Sequence, residues 1–157
     1  MTVMEKLHSA MDICDIHANR LSMALKHMKR LSPLTLEKFE TLKDEDFGFL
    51  ELMSSRFAKL QDIIGRKVFP LLLEVLGKSE ERDTFIDILN KLEKLEIIPE
   101  RSFWDQFRKV RNEIAHEYPD DAEQIISKLQ DCFKASYDLL SFWNDLRHTI
   151  SERTKGA

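Results

Sequence analysis

The sequence predicts an all-α domain, an antiparallel bundle of about four long helices with shorter ones between them, on three observations. Apolar residues recur at alternating steps of three and four along most of the chain, the signature of a helix with one buried face. No segment alternates with the period of two that a half-buried strand requires. Glycine and proline number only four each in 157 residues, too few for a β-sandwich, which turns every ~8–12 positions.

The first helix carries Met4, Leu7, Met11, Cys14, Ala18, Leu21, Leu25 and Met28 on one face, and Ser32-Pro33 stops it, because a residue before proline avoids the α region. The second carries Leu50, Met53, Phe57, Leu60 and Ile64, with Asp46 as its expected N-cap. Pro70 should kink or end that helix near Gly65–Phe69, while LLLEVL beyond it is again helical up to Gly77 as a C-cap. KSEERD (78–83) reads as an exposed charged turn. Thr84 with Asp87 resembles a capping box before Phe85, Ile88, Leu89, Leu92 and Leu95.

Pro99 suits the first turn of the next helix, striped by Phe103, Phe107, Val110 and Ile114. Tyr118-Pro119-Asp120-Asp121 closes it, and Asp121 caps the last helix. There the series is longest: Ala122, Ile125, Leu129, Cys132, Ser136, Leu139, Trp143, Leu146 and Ile150. One domain over 1–150 is expected, with a frayed tail at 151–157. The two terminal stripes exceed the needs of one bundle core, so a homodimer through a helical face is a further expectation.

Hydrophobic residues at 43% and charged residues at 33% exclude a disordered or collagen-like chain. The net charge of −4 argues against broad, non-specific binding to nucleic acid but leaves room for a local basic patch. No apolar run approaches the ~18–20 residues of a membrane span. Glu5 and Asp12 interrupt the opening segment, so no signal peptide is expected and the expected address is cytoplasmic. Cys14 and Cys132 form no CxxC and are expected as small buried hydrophobes.

One octapeptide carries chemistry: Arg111-Asn112-Glu113-Ile114-Ala115-His116-Glu117-Tyr118. Asn112 and His116, four apart, share a helix face. Arg111 and His116 are about 140° apart around an ideal helix and roughly 7.5 Å apart along it, within the reach of a long arginine across one phosphate. An imidazole near its pKa moves the proton of a hydroxyl, and a guanidinium grips phosphate oxygens. Pro119 pushes Tyr118 out of the α region, so its phenol swings off a helix terminus. From Arg101 to Arg111 four basic residues (Arg101, Arg108, Lys109, Arg111) face one acidic, Asp105, giving +3 on an acidic chain and a contact for a phosphate backbone. Spacing alone does not select catalysis. Arginine and histidine near a turn are most often surface residues, and Glu113 and Glu117 are candidates to neutralise them within the helix.

RNEIAHEY, late in a small all-helical chain, resembles the R-x4-6-H motif of the HEPN superfamily and, more narrowly, the R-x4-H-x-Y signature of its HepT branch. Arg111, His116 and Tyr118 match the three fixed positions, and Asn112 matches the polar residue that usually follows the arginine. The strong match covers residues 99–121, and elsewhere only the helix order is compatible. The resemblance implies a toxin of a two-gene toxin–antitoxin module: a homodimer whose two motifs face one another across a cleft, acting as a metal-independent endoribonuclease without a cofactor. Its partner would be a minimal nucleotidyltransferase antitoxin that transfers AMP onto the motif tyrosine. His116 would then move the proton of the attacking 2′-hydroxyl, Arg111 would hold the scissile phosphate, Asn112 would orient one of them, and Tyr118 would be modified. Arg101, Arg108 and Lys109 would contact the RNA backbone. Phosphates attached at Tyr118 would put negative charge where RNA must bind. The alternative is a non-catalytic substrate-binding subunit of a nucleotidyltransferase, which related helical proteins resemble.

Other clusters weigh less. His8, Asp12 and Asp15 gather on one helix face, usually a solvated one. His17 and His27 point to different faces, and Glu51, Asp62 and Asp87 lack the ExxH partner of a di-metal bundle. No Walker loop, GxGxxG or GxSxG is present.

Overall fold

A computed structural model describes residues 1–115 and 121–156 of the chain. They form an all-helical bundle: α1 (Val3–Met28), α2 (Leu36–Glu40), α3 (Asp44–Ile63), α4 (Phe69–Val75), α5 (Phe85–Lys94), α6 (Arg101–Ala115) and α7 (Ala122–Arg153). A 3-10 turn at Lys29–Leu31 ends α1, and a π-helical turn at Ile64–Val68 joins α3 to α4. Four long elements thus carry the domain, counting α3, the π turn and α4 as one. The inter-helix contacts fix their directions. Arg30 meets Asp46, His27 stacks on Phe49, and His17 meets Arg56, so α1 and α3 run antiparallel. Asp62 meets Arg111 while Gly65 faces Trp104, so α3 and α6 do too.

The α1 stripe from Leu7 to Met28 is buried, as are Leu50, Met53, Phe57, Leu60 and Ile64, and on α7 Cys132, Ser136, Leu139, Trp143, Leu146 and Ile150. Ala122, Ile125 and Leu129, at the start of α7, are only half-buried. The α1 stripe from Leu7 onward and the α7 stripe from Cys132 onward are therefore consumed by the monomer's own core. What the terminal stripes leave for another surface is the half-buried start of α7, and α1 leaves outside only Ile13, Ile16 and Met23 as large exposed apolar residues. Phe69, Trp104, Phe107 and Phe142 pack edge to face or tilted in the core between α4, α6 and α7. Cys14 and Cys132 are buried, and burial pushes their thiols up to about 12 and about 11, which removes the thiolate a reactive cysteine needs.

Local signals placed most of the ends. The Thr84–Asp87 capping box forms at both bonds, Thr84 Oγ1 accepting from Asp87 N and Asp87 accepting from Thr84 N. Asp121 caps α7 by accepting from Gln124 N at 2.9 Å. Gly77, at φ +71, closes α4 as its own N–H donates to Glu74 O and that of Lys78 to Leu73 O, the paired bonds of a left-handed C-terminal cap.

Three expectations shift, and the one at Pro70 narrows. Asp46 is not the N-cap: α3 starts after Lys43, and Asp46, buried in the first turn, accepts from Lys43 N and pairs with Arg30. The acidic run Asp44–Asp46 suits a helix N-terminus and lets the helix begin earlier. Pro70 disturbs the helix where expected, over Ile64–Val68, without ending it. Its ring conflicts with the carbonyl four residues back and it offers no N–H, and the chain answers by widening to a π turn in which Phe69 N donates to Ile64 O. Pro99 lies before α6, whose first residue is Arg101. The tail is ordered through Thr154: α7 continues to Arg153, which donates to Leu95 O, and buried Thr154 donates to Ile150 O. Among the described residues no helix is long and apolar enough to cross a membrane.

Candidate functional site

Helix α6 buries Trp104 and Phe107 and turns Arg101, Arg108, Lys109 and Asn112 outward. Arg111 sits at the boundary, 29% exposed, and its guanidinium meets Asp62 near the end of α3. Nε donates to Oδ1 and Nη2 to Oδ2, each at 3.0 Å. The hydrogen bond to Asp62 holds the guanidinium pKa above its ordinary value, against the opposing effect of burial. This side-on pairing matters chemically. A guanidinium has five N–H donors in a planar fork, and Asp62 takes only the Nε edge. The Nη1/Nη2 end, the edge that pairs with phosphate oxygens, has no partner among the described residues.

Both members of the pair line a pocket of about 160 Å³ between the π turn and α6, with Gln61, Gly65, Arg66, Phe85, Arg108 and Asn112. It is smaller than the ~300–1,000 Å³ of sites that enclose a whole drug-sized ligand, so it suits a single group. Arg108 is fixed with its guanidinium carbon 4.9 Å from the centre of the Phe85 ring, a cation–π contact. Three arginines against one aspartate leave the pocket cationic in an acidic protein.

The structure thus brings Arg108, Arg111 and Asn112 together and leaves two of the predicted backbone contacts apart. Arg101 begins α6, where its own N–H donates to the Glu93 carboxylate, and exposed Lys109 does not line the pocket. His116, Tyr118, Pro119 and Asp120 lie outside the described residues. Glu113 does not neutralise Arg111. Its Oε2 is buried without a hydrogen-bond partner among the described residues, beside a second, apolar pocket of about 520 Å³, walled by Phe39, Phe47, Leu50, Ile114 and Leu129. Neutralisation comes instead from Asp62, on another helix.

Sequence reasoning missed Asp62, Arg66 and the π turn as parts of this site. Asp62 and Arg66 stand four apart around Gly65 and just before Pro70. A charged pair next to an expected break in a helix was the available signal, since π turns recur at functional sites. Of the remaining clusters, Asp15 of the His8/Asp12/Asp15 face is taken by Arg147 and by the Trp143 indole. Among the described residues no group of three or more His, Cys, Asp or Glu side chains stands close enough to share a metal ion. No family model matches the chain, and neither the curated proteins nor the solved structures give a match.

Proposed function

We propose that the protein is a HepT-like toxin, a metal-independent endoribonuclease that acts as a homodimer and is neutralised by a minimal nucleotidyltransferase antitoxin adding AMP to Tyr118. The observation that carries the reading is Arg111. The one arginine of the R-x4-H-x-Y motif is held by Asp62 along its Nε edge and lines a small cationic pocket. A guanidinium so restrained stabilises charge developing on a phosphate without first having to be ordered.

In the reaction the substrate's 2′-hydroxyl attacks the adjacent phosphorus. The bond to the 5′-oxygen of the next nucleotide breaks, and the products are a 2′,3′-cyclic phosphate and a free 5′-hydroxyl. A histidine takes the proton of the attacking hydroxyl and another gives one to the leaving oxygen, so the two His116 side chains of a dimer serve both ends. Arg111 holds the phosphate, Asn112 orients it, and Arg108 extends the backbone contact, with Arg101 and Lys109 further along the same helix. AMP attached to Tyr118 adds a phosphodiester charge that competes with RNA for these arginines.

The second reading is a non-catalytic substrate-binding subunit of a nucleotidyltransferase. It draws on the apolar pocket beside Glu113, whose volume of about 520 Å³ falls in the range of small-molecule sites. One experiment separates the two. Purified alone, the protein should cleave RNA in EDTA, more slowly as salt rises, and His116→Ala should abolish cleavage. Cleavage by His116→Ala at the parental rate would reject the ribonuclease. Co-expression with the antitoxin should add one or more AMP masses to the peptide containing Tyr118, and Tyr118→Phe should escape neutralisation.

A further inference from the structure

A second depression adjoins the cationic pocket, and the two meet at Arg66, which lines both. It is a groove of about 570 Å³ between the start of α1 and the π turn. Helical spacing builds the α1 wall: Lys6, Ser9, Ala10 and Ile13 fall at steps of three and four and share one face. Because α1 and α3 run antiparallel, with His17 at Arg56, the start of α1 comes to lie beside the end of α3. Arg66 and Lys67 of the π turn form the facing wall.

Charge and floor together say what the groove suits. Lys6, Arg66 and Lys67 are exposed, and none pairs with a carboxylate among the described residues. No aspartate or glutamate lines the groove, although acidic residues outnumber lysine and arginine in the chain by 28 to 24. With Arg108 and Arg111 these residues make a run of cations across two adjoining depressions, against Asp62 alone. The floor is aliphatic: Ile13 is 43% exposed, and Ile63, Pro70 and Leu71 are half-buried beside it. A single-stranded nucleic acid matches both features, with phosphates along the cationic rim and a base or ribose face on the floor. Aliphatic side chains read no base edge, so such a groove accepts any sequence. An acidic peptide would match the rim, but the shared Arg66 favours one chain of phosphates running through both depressions.

We propose that single-stranded RNA leaving the Arg111 pocket crosses the π turn at Arg66 and lies in this groove, with Lys6 and Lys67 on its phosphates. The protein then holds several nucleotides to one side of the phosphate on Arg111, and long strands bind more tightly than short ones. That the strand is the one being cleaved rests on the ribonuclease reading; that the groove holds single-stranded RNA does not.

Anisotropy titrations of the full-length protein with uncleavable 2′-O-methyl oligoribonucleotides test this. A dinucleotide spans little more than the Arg111 pocket, whereas a dodecanucleotide reaches the groove. Lys6→Ala/Lys67→Ala should weaken dodecanucleotide binding roughly tenfold or more and leave dinucleotide binding as in the parent. Two lost phosphate contacts should also flatten the slope of log affinity against log salt by about 1.4, at ~0.7 per contact to a single strand. Both lysines are exposed, so circular dichroism should show the parental fold. Lys94→Ala/Lys155→Ala removes the same charge from exposed residues that line neither depression, and it should change neither titration. Dodecanucleotide binding that the Lys6/Lys67 variant leaves intact, or that the control weakens equally, overturns the proposal. Polyglutamate that binds as tightly and through the same two lysines overturns the RNA assignment in favour of an acidic protein partner. The length-dependent loss in a protein that cleaves no RNA leaves the groove standing while the ribonuclease reading falls. Cleavage by a protein whose dodecanucleotide binding ignores both lysines does the reverse.

Discussion

Two aspartate–arginine pairs cross the bundle with the same geometry, and their surroundings differ. Asp15 of α1 receives Nε and Nη2 of Arg147 on α7, just as Asp62 of α3 receives those of Arg111 on α6. Exposure does not separate them, at 43% and 31% for the first pair against 29% and 26% for the second. The neighbours do. Asp15 also accepts the indole N–H of Trp143, and Asp12 adds to the negative field around Arg147, so in that cluster the one arginine stands among carboxylates. Around Asp62 two further arginines, Arg66 and Arg108, line the same pocket as the pair. The same ion pair stands among carboxylates in one place and among cations in the other, and the charge of the neighbours tells them apart.

The largest effect should come from exchanging roles. Arg111→Ala is expected to lower RNA cleavage roughly 10²- to 10³-fold, as removal of a transition-state donor does. Arg147→Ala should leave cleavage unchanged and cost about 1 kcal/mol of stability or less, since its pair is largely solvated. Rates and melting curves of the two variants, measured side by side, check both halves; equal rates would erase the distinction. A smaller loss, roughly 10- to 100-fold, is expected for Asp62→Asn, which loosens the guanidinium without removing it. If Asp62 acts through Arg111, the double variant should be no slower than Arg111→Ala alone. Additive losses would show that Asp62 acts on its own.

The smallest effect concerns the α1–α3 seam. His17 Nδ1 lies 3.0 Å from Arg56 Nη1, so that nitrogen accepts and the ring is neutral. Burial first, then Arg56 and Lys59, hold the imidazole below its ordinary pKa. The unfolded chain therefore takes up this proton more readily than the folded one. The stability contributed by neutral His17 is complete above pH ~6.5 and is lost as pH falls through the lowered folded value. His17→Gln keeps an acceptor for Arg56 and does not titrate, so its melting temperature should fall less than the parent's between pH 7 and 5. An unchanged acid response would place the sensitivity elsewhere.

What the sequence by itself determined is whatever depends on residues a few positions apart. Helical stripes repeat every three or four residues, the Thr84–Asp87 and Asp121–Gln124 caps span three, and the Gly77 closure spans five, so the bundle and most of its ends were legible. The R-x4-H-x-Y spacing was legible for the same reason. Asp46 was misjudged because its second partner, Arg30, comes from another helix. The frayed tail was misjudged because Thr154 is buried and Arg153 reaches Leu95. Proline at 70 announced a disturbance, but only packing of the buried residues on both sides of it decided between a break and a π turn. The tertiary structure alone decided that Arg111 answers to Asp62, 49 residues away, and not to Glu113 two residues along its own helix. Residues two apart on a helix point to different sides, whereas the antiparallel register of α3 and α6 brings Asp62 to Arg111. Periodicity fixes which face of each helix is buried, and the three-dimensional register fixes which charges then meet.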